Sequence, residues 1–299
     1  MRKCLAPIAT LSVVLALVAA PAEAAAEGDA TIPEDAEAAT LVEEGELTSG
    51  ETTLREFTTD RPDVTESPFT VDPGHFQIET TLFGHARSRA DAAGIVTDTF
   101  EFGTTNLRLG LTDRLEVDFV WQPYGILDQR GGGVDERGIG SVTLRAKYNL
   151  WGNDGPARPG DTAVALLPYV TLPTDGNNGI GESEVAFGLI VPLAINLGGG
   201  MGLGLNGAAN FTRSDVDPTY DAAVLTSASL AYEWNEVLGS YAEVVWEFSR
   251  NDPAGDIVTF NTGLTIGLGE DWQLDMGVNV GATRAADSIA SFIGISARF

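Results

Sequence analysis

The segment Asp256-Ile-Val-Thr-Phe-Asn-Thr-Gly-Leu-Thr-Ile-Gly-Leu268 alternates along its length between larger apolar residues and small or polar ones. Phe260 and Leu264 fall on one set of positions, and Asn261 and Gly263 fall on the other. Successive side chains of a β-strand point to opposite faces, so a period of two predicts a strand with one apolar face. The same alternation recurs over the last three quarters of the chain, where no helical period competes with it.

Turn residues between the alternating runs divide this region into about twelve strands. They lie approximately at 74–86, 95–111, 115–124, 138–151, 162–172, 182–195, 201–213, 221–233, 239–250, 256–268, 272–282 and 288–299. In 95–111 the apolar positions change face, which predicts a bulge. The runs are longer than the ~5–6 residues typical of soluble strands and match the ~9–11 tilted residues that cross a bilayer. The pattern predicts an all-β fold, a transmembrane antiparallel β-barrel of about 12 strands; a soluble sandwich or barrel is the alternative.

The connections between the strands alternate in length. Short turns such as 112–114 and 269–271 alternate with longer loops such as 125–137 and 173–181, and 152–161 is the exception. Bacterial outer-membrane barrels have short periplasmic turns and longer outer loops, and they carry aromatic residues at both rims. We therefore expect the periplasmic rim to hold Trp151, Trp234 and Trp272, and the outer rim Trp121 and Trp246.

The chain begins with features of an exported protein. In residues 1–24, Arg2 and Lys3 precede a short apolar stretch and Ala22-Glu23-Ala24 is a cleavage motif, which predicts a signal peptide. Residues 25–57 are predicted to be a flexible, acidic periplasmic extension, because so acidic a segment buries too little apolar surface to fold. Residues 58–73 are the predicted entry segment, and residues 74–299 the barrel. This organisation predicts a location in the bacterial outer membrane.

The composition excludes several classes of function. The formal net charge of −26 disfavours nucleic acid, whose phosphates require clustered Lys and Arg. The single cysteine, Cys4, lies in the predicted signal peptide, and the two histidines, His75 and His85, offer little for metal or acid–base chemistry. His85 has Ser88 nearby, but nothing identifies the third member that a catalytic triad needs. We therefore expect no catalytic residues, no metal site and no cofactor.

One stretch carries a family resemblance. Thr59-Asp-Arg-Pro-Asp-Val-Thr-Glu-Ser-Pro68, followed by Val71-Asp-Pro-Gly-His-Phe-Gln-Ile-Glu79, resembles the entry segment of the outer-membrane family labelled "MetA-pathway of phenol degradation". The resemblance extends as a strand pattern over residues 57–299. It implies an outer-membrane barrel and, from the family label, uptake of aromatic compounds.

If the apolar face contacts lipid, the alternate positions point into the lumen. These lumen candidates near one wall are Glu79, Glu116, Asp118, Arg145, Lys147 and Arg298, with Arg108 added by the bulge. Antiparallel pairing places Glu116 and Asp118 across from Lys147 and Arg145, and Arg298 beside Glu79. Either these residues form a ladder of ion pairs that keeps the interior satisfied, or they contact the solute and set selectivity.

The opposite wall is predicted to be acidic. Its inward candidates are Glu233, Glu243, Glu247 and Asp275, and no Lys or Arg of the same strands faces them. Clustered carboxylates favour cations. Alternatively, they receive Arg55 or Arg61 from the entry region. The Asp60-Arg61-Pro62-Asp63 motif directly precedes the barrel, and Pro62 disfavours a helix at Arg61, so Arg61 is either anchored at the barrel mouth or part of a solvated hinge.

These features favour passage of small molecules, among them aromatic or other neutral compounds, through a polar and partly acidic lumen. A structural or adhesive barrel without transport is the alternative. The expected partners are outer-membrane lipids, an unidentified small solute and the barrel-assembly machinery. The last of these follows from Phe299, because an alternating final strand with a terminal aromatic resembles the assembly signal of outer-membrane barrels.

Overall fold

The computed structural model describes residues 54–299, apart from 132, 134, 156–157, 176–178, 214–218 and 250–254. The predicted signal peptide and most of the predicted acidic extension lie outside the described residues. Within the described part, no helix has the length and apolar character needed to cross a bilayer.

Fifteen strands in the described ranges form one antiparallel sheet. In chain order they are β1 (Phe76–Arg87), β2 (Val96–Phe102), β3 (Thr104–Thr112), β4 (Leu115–Trp121), β5 (Tyr124–Arg130), β6 (Glu136–Gly138), β7 (Val142–Trp151), β8 (Thr162–Leu172), β9 (Ala186–Gly198), β10 (Met201–Arg213), β11 (Tyr220–Glu233), β12 (Leu238–Ser249), β13 (Ile257–Gly267), β14 (Trp272–Gly281) and β15 (Ile289–Arg298). β15 pairs with β1 as well as with β14, so the sheet closes. The predicted fold, a closed antiparallel β-barrel of twelve strands, is confirmed.

The number fifteen arises because three of the twelve barrel strands are each broken into two pieces. Gly103, with a φ of +70°, separates β2 from β3, but no residue is inserted there, because Gly84 pairs with Glu101 and Thr81 with Thr104 in one continuous register. The bulge predicted within 95–111 is therefore not at this break; in this stretch the register shifts only at the end of β3, between Gly110 and Thr112. Gln122 and Pro123 separate β4 from β5, and residues 139–141 separate β6 from β7. The last two breaks lie side by side, because the Gly140 amide donates to the Gln122 carbonyl at 2.9 Å.

The predicted loop at 125–137 is wrong. β5 continues the hairpin to Arg130 and pairs with β2, and β6 pairs with β5 over a shorter stretch. The proline at position 123 and the run of glycines at 131–133 interrupt the alternation, so the sequence pattern hid strands that cross-strand hydrogen bonds support. His85 is in β1, where its ring stacks on Phe100 at 4.8 Å.

Apolar side chains cover the outer face of the barrel. Phe260 is 60% exposed and Leu264 41%, whereas Asn261 between them is only 4% exposed. The tryptophans are 41–61% exposed, as expected at a lipid-facing surface. Trp121 differs from the prediction, because the hairpin continues beyond it in β5 and Trp121 therefore lies part-way along the wall rather than at a rim.

The last residue lies at the seam between β15 and β1. The ring of Phe299 stacks on Phe76 at a centroid distance of 5.1 Å and meets Trp272 edge-on at 5.8 Å. Its amide also donates to the Phe76 carbonyl at 2.8 Å. Phe299 thus joins the first and last strands where the barrel closes; its role as an assembly signal stays a prediction.

The lipid-facing wall leads to a stability prediction. Val244 lies in the middle of β12 and is 39% exposed, whereas Val237, in the turn before β12, is 54% exposed. We expect Val244→Arg to lower the free energy of unfolding by ~2–4 kcal/mol and Val237→Arg by ~0–1 kcal/mol, since a charge costs most near the bilayer midplane. Urea titration in lipid vesicles measures both losses. Equal losses would contradict the assigned depth of β12.

Candidate functional site: the entry segment inside the barrel

The entry segment, residues 58–73, lies inside the barrel and has no regular secondary structure. Its side chains and backbone bond to inward-facing residues of β1, β3, β4, β7, β11, β12 and β14. Asp60, Thr65, Thr70 and Val71 are each less than 9% exposed. The peptide bond between Arg61 and Pro62 is cis. A segment predicted only to lead into the barrel is therefore bound within its lumen.

The first wall is a cluster of buried charges on β1, β3, β4 and β7. Arg108 is fully buried, and its guanidinium donates to Glu79 at 2.7 Å and to Glu116 at 3.0 Å. Lys147 is also fully buried; its ammonium lies 2.7 Å from Asp60 and 3.1 Å from Glu116. Asp60 belongs to the entry segment, so the cluster joins the segment to the wall.

The predicted cross-strand register of the charged residues is confirmed. Glu116 faces Lys147, and Asp118 faces Arg145. The first pair forms an ion pair, but Arg145 donates to Glu66 of the entry segment at 2.6 Å. Both carboxylate oxygens of Asp118 are buried without a hydrogen-bond partner among the described residues.

Arg298 lies beside the start of β1, as predicted, but it does not form an ion pair with Glu79. Arg298 is opposite Gln77 in the register and bonds to Asp271 at 2.7 Å and Asp72 at 3.4 Å. Glu79 instead accepts from Arg108 and from the Asp60 amide. The long side chain of Arg298 reaches Asp271 and Asp72 at the end of the barrel, and strand order alone does not predict these contacts.

On the acidic wall, two of the four predicted carboxylates hold the entry segment. Asp275 accepts two hydrogen bonds from Arg61, at 2.7 and 3.1 Å, and Thr81 accepts a third at 2.5 Å. Glu243 accepts from the Val64 amide at 3.1 Å and the Thr65 amide at 2.8 Å. Arg61 is therefore anchored, whereas Arg55 binds Asp72 rather than this wall.

The other two predicted carboxylates, Glu233 and Glu247, lie near opposite ends of the acidic wall. Glu233 is the last residue of β11 and is exposed, and Glu247 is partly exposed near the far end of β12. The structure therefore does not bring all four carboxylates together in one cluster. Any effect of these two residues on selectivity remains a proposal.

Neutral polar residues also hold the segment, and the sequence reasoning missed them. The Asn149 amide donates to the Pro68 carbonyl at 2.9 Å, the Thr65 and Ser227 hydroxyls are 2.7 Å apart, and Gln77 donates to the Thr58 carbonyl at 2.9 Å. Each of these three barrel residues occupies an inward position, so the alternation could have identified them. Their partners are mostly backbone groups, which no sequence pattern reveals.

The segment leaves free space along the wall formed by β8 to β11. A cavity of about 550 Å³ lies towards the short-turn end of the barrel, beside Glu233, Gly204 and Ser229. A second cavity, of about 250 Å³, is bordered by Tyr169 and Asn210. Glu66 borders both cavities. A third depression, of about 800 Å³, is bounded mainly by lipid-facing side chains and belongs to the outer surface.

Glu66 is held from two sides of the lumen. Arg145 on β7 binds its carboxylate, and Asn206 on β10 binds its backbone. With the amide oriented to satisfy both groups, the Asn206 side chain accepts from the Glu66 amide at 2.6 Å and donates to its carbonyl at 3.3 Å. Glu66 is thus the point at which the segment separates the two cavities.

Three carboxylates, Asp60, Glu116 and Asp118, lie close enough together to share a cation, with oxygens within 4.8 Å of one another. The Lys147 ammonium bonds to two of them, so a cationic group of the chain already occupies this position.

The Ser88 hydroxyl donates to the Arg89 carbonyl, whereas His85 binds Asp98. The described residues therefore do not assemble the Ser–His pair considered from the sequence.

Charge and burial shift the pKa values of the entry segment. Burial would raise the pKa of Asp60, but Arg108 and Lys147 outweigh it and lower that pKa to about 2. Burial raises the pKa of Asp63 to about 7; Glu243 acts in the same direction and Ser229 in the opposite one. Burial also raises the pKa of Glu66 against the effect of Arg145. Asp60 therefore keeps its charge and its ion pairs near neutral pH, whereas Asp63 gains or loses its proton in this range.

With this geometry established, comparison with known proteins places the chain. Residues 59–299 match the profile of the family described as "Putative MetA-pathway of phenol degradation". The chain belongs to this family. Its MetA-pathway profile begins within the entry segment, so the segment is part of the family pattern. No curated protein sequence matches the chain.

Solved structures similar to this MetA-pathway family member share its fold. The COG4313 outer membrane channel from Pseudomonas putida F1 is 14% identical, with a TM-score of 0.60, covering 80% of this chain and 99% of that chain. A NanC porin is 9% identical, with a TM-score of 0.48, covering 74% of this chain and 98% of that chain. At 14% identity, the similarity to the COG4313 channel establishes only the architecture, that of an outer-membrane barrel.

The Arg61 contacts predict that the entry segment resists proteolysis. Protease added to the folded barrel should cleave between Thr53 and Asp72 far more slowly than in an unfolded peptide of the same sequence. Arg61→Gln should speed cleavage about tenfold or more, because Asp275 is left buried without its charged partner. Arg114→Gln is the matched control, because the Arg114 side chain bonds to the Leu150 carbonyl rather than to the segment. Cleavage of the wild type at the peptide's rate would refute the anchoring.

Asp63 predicts that docking of the segment weakens as pH rises. The docked pKa of about 7 exceeds the ordinary 3.8, so the docked state holds the extra proton between these values and loses stability as pH increases through them. Protease cleavage, normalised to the unfolded peptide at each pH, should be at least about tenfold faster at pH 8 than at pH 5.

Asp63→Asn should remove most of this difference. The groups near Asp63 are Ser229 on β11, Glu243 and Tyr241 on β12, and Glu66 on the segment. Glu66, whose pKa is also raised, accounts for the remainder. An unchanged pH dependence in Asp63→Asn would show that another group is responsible.

Proposed function

We propose that this protein passes small molecules across the outer membrane along the β8–β11 wall of its lumen, beside the docked entry segment. The observation that carries the proposal is the pair of cavities flanking Glu66 inside a barrel whose other walls are bonded to the segment. Twelve strands enclose more space than the filled small barrels and less than open porins, so the interior side chains control passage.

The shape of the free space follows from residue size. The inward positions of β10 beside the larger cavity include Gly202 and Gly204, and those of β11 include Ser229 and Ala231. These short side chains leave room that the long charged side chains on β3, β4 and β7 fill elsewhere. The segment binds the charged wall and leaves the other wall partly uncovered.

The orientation and partners belong to the same proposal. We place the short-turn end and the entry to the segment in the periplasm, after export by the predicted signal peptide, with lipids around the apolar belt. Assembly by the barrel machinery through Phe299 and a non-enzymatic role are part of this proposal. The family description, together with the partly apolar lining of the smaller cavity by Ile190 and Leu225, supports neutral aromatic compounds among the solutes.

Removal of the entry segment tests the function. Purified full chain and a variant lacking residues 25–72 are reconstituted into liposomes, and the influx of a neutral pentose is followed by swelling. We expect slow influx through the full chain and a large increase without the segment, because the wall contacts of residues 58–73 are lost. Absence of influx through both proteins, with the variant shown to be folded, would contradict the proposal and favour a structural barrel.

Ion selectivity provides the second readout in planar bilayers. Fixed negative charge in a narrow lumen raises the local cation concentration, so the pathway should prefer cations and lose this preference at high salt. Glu233→Gln should reduce the preference, since Glu233 borders the larger cavity. Because Glu243 holds the entry segment, Glu243→Gln should instead increase total flux. Anion preference in the wild type would contradict the acidic lumen.

A further inference from the structure

Asp118 is a buried carboxylate with no hydrogen-bond partner among the described residues. It is 3% exposed, it faces the lumen from β4, and neither of its oxygens accepts a hydrogen bond. Buried carboxylates are normally paired, because an unpaired buried charge carries a large desolvation penalty. A group able to satisfy Asp118 is therefore expected close by.

Lys147 and Arg108 lie near Asp118 but are bonded to Asp60, Glu79 and Glu116. Arg145 is the further candidate, and it is bonded to the entry segment. It is directly opposite Asp118 in the β4–β7 register, where side chains of facing residues are within reach of each other. Its guanidinium instead donates to Oε1 of Glu66 at 2.6 Å, while Oε2 of Glu66 has no partner among the described residues. Arg145 thus has a carboxylate opposite it on β4 and another on the segment, and it bonds to only one oxygen of the second.

The two carboxylates belong to different parts of the molecule. Asp118 belongs to the fixed barrel wall, whereas Glu66 belongs to the entry segment at the point between the cavities of about 550 and 250 Å³. Arg145 and Asn206 together fix Glu66 across the lumen. Loss of the Arg145 contact would leave the Glu66 side chain free to turn aside, with its backbone still bonded to Asn206.

We propose that Arg145 is a two-position switch of the pathway. Bonded to Glu66, it keeps the two cavities separate; bonded to Asp118, it releases the Glu66 side chain and connects them. The positions exchange one charge-assisted hydrogen bond for another within the same buried site, so neither is strongly excluded. This inference rests on the proposed passage function, because it describes how that pathway opens.

Opposite effects of two conservative substitutions test the switch. Asp118→Asn removes the charged acceptor of the open position and should lower pentose influx about tenfold. Glu66→Gln removes the charged acceptor of the closed position and should raise influx by about the same factor. The double variant should return towards the wild-type rate. If both single variants raise influx, the residues merely hold the segment and the proposal is wrong.

Glu116→Gln is the matched control for Asp118→Asn. Glu116 lies two residues away on the same face of β4 and is as deeply buried, but it bonds to Arg108 and Lys147 rather than to Arg145. Its loss should loosen the segment and raise influx. A decrease in Glu116→Gln equal to that in Asp118→Asn would overturn the specific role of Arg145.

A crystal structure of Glu66→Gln tests the switch independently of transport. The guanidinium of Arg145 should lie within hydrogen-bond distance of Asp118, and the two cavities should be continuous. A guanidinium that stays at residue 66, or a bound cation that satisfies Asp118, would overturn the proposal. Absence of influx even without residues 25–72 would contradict the transport function, while this structure would still decide whether Arg145 changes partners.

Discussion

The ion pairs of Arg108 and Lys147 with carboxylates of two different parts of the chain are the interaction on which the interior of this barrel depends. Both bases are fully buried, and so is Glu116 of the wall. A charge removed from water costs several kcal/mol unless it is paired in good geometry. Asp60 of the entry segment completes the set, since it bonds to Lys147 and lies 3.5 Å from Arg108. The buried positive charges of the barrel wall are therefore neutralised in part by a carboxylate of the segment.

This pairing determines where solutes have room. The segment lies against the charged strands β3, β4 and β7, and Arg61 and the Glu243 contacts hold it to β12 and β14. The β8–β11 wall, with its short inward side chains, is left partly uncovered. Glu66 of the segment borders both cavities beside this wall, so it lies between the two spaces that a solute could occupy.

The carboxylates of the lumen fall into different roles even though the sequence presents them alike. Asp275 and Glu243 are engaged by the segment, whereas Glu233 remains exposed beside the larger cavity. Net negative charge alone would suggest a uniform cation-attracting wall. The pairing reduces the free charge to a few positions, so selectivity should depend on Glu233 more than on the number of acidic residues.

The sequence by itself determined the barrel, its strands and the direction of most side chains, because alternation with period two is a local property of each strand. It also predicted that Glu116 faces Lys147, because the third barrel strand begins at Leu115 and the fourth ends at Trp151 on the same side of the barrel. It could not determine β5 and β6, where a proline and glycines interrupt the alternation and the strands depend on cross-strand hydrogen bonds.

Only the tertiary structure decided what fills the lumen. Arg61 and Asp275 are 214 residues apart in the chain, and Arg145 donates to Glu66 on the segment although Asp118 is opposite it on the neighbouring strand. Such contacts depend on how an irregular segment enters a closed space. Its backbone groups bond wherever the wall offers donors and acceptors, and no periodicity in the sequence encodes that choice.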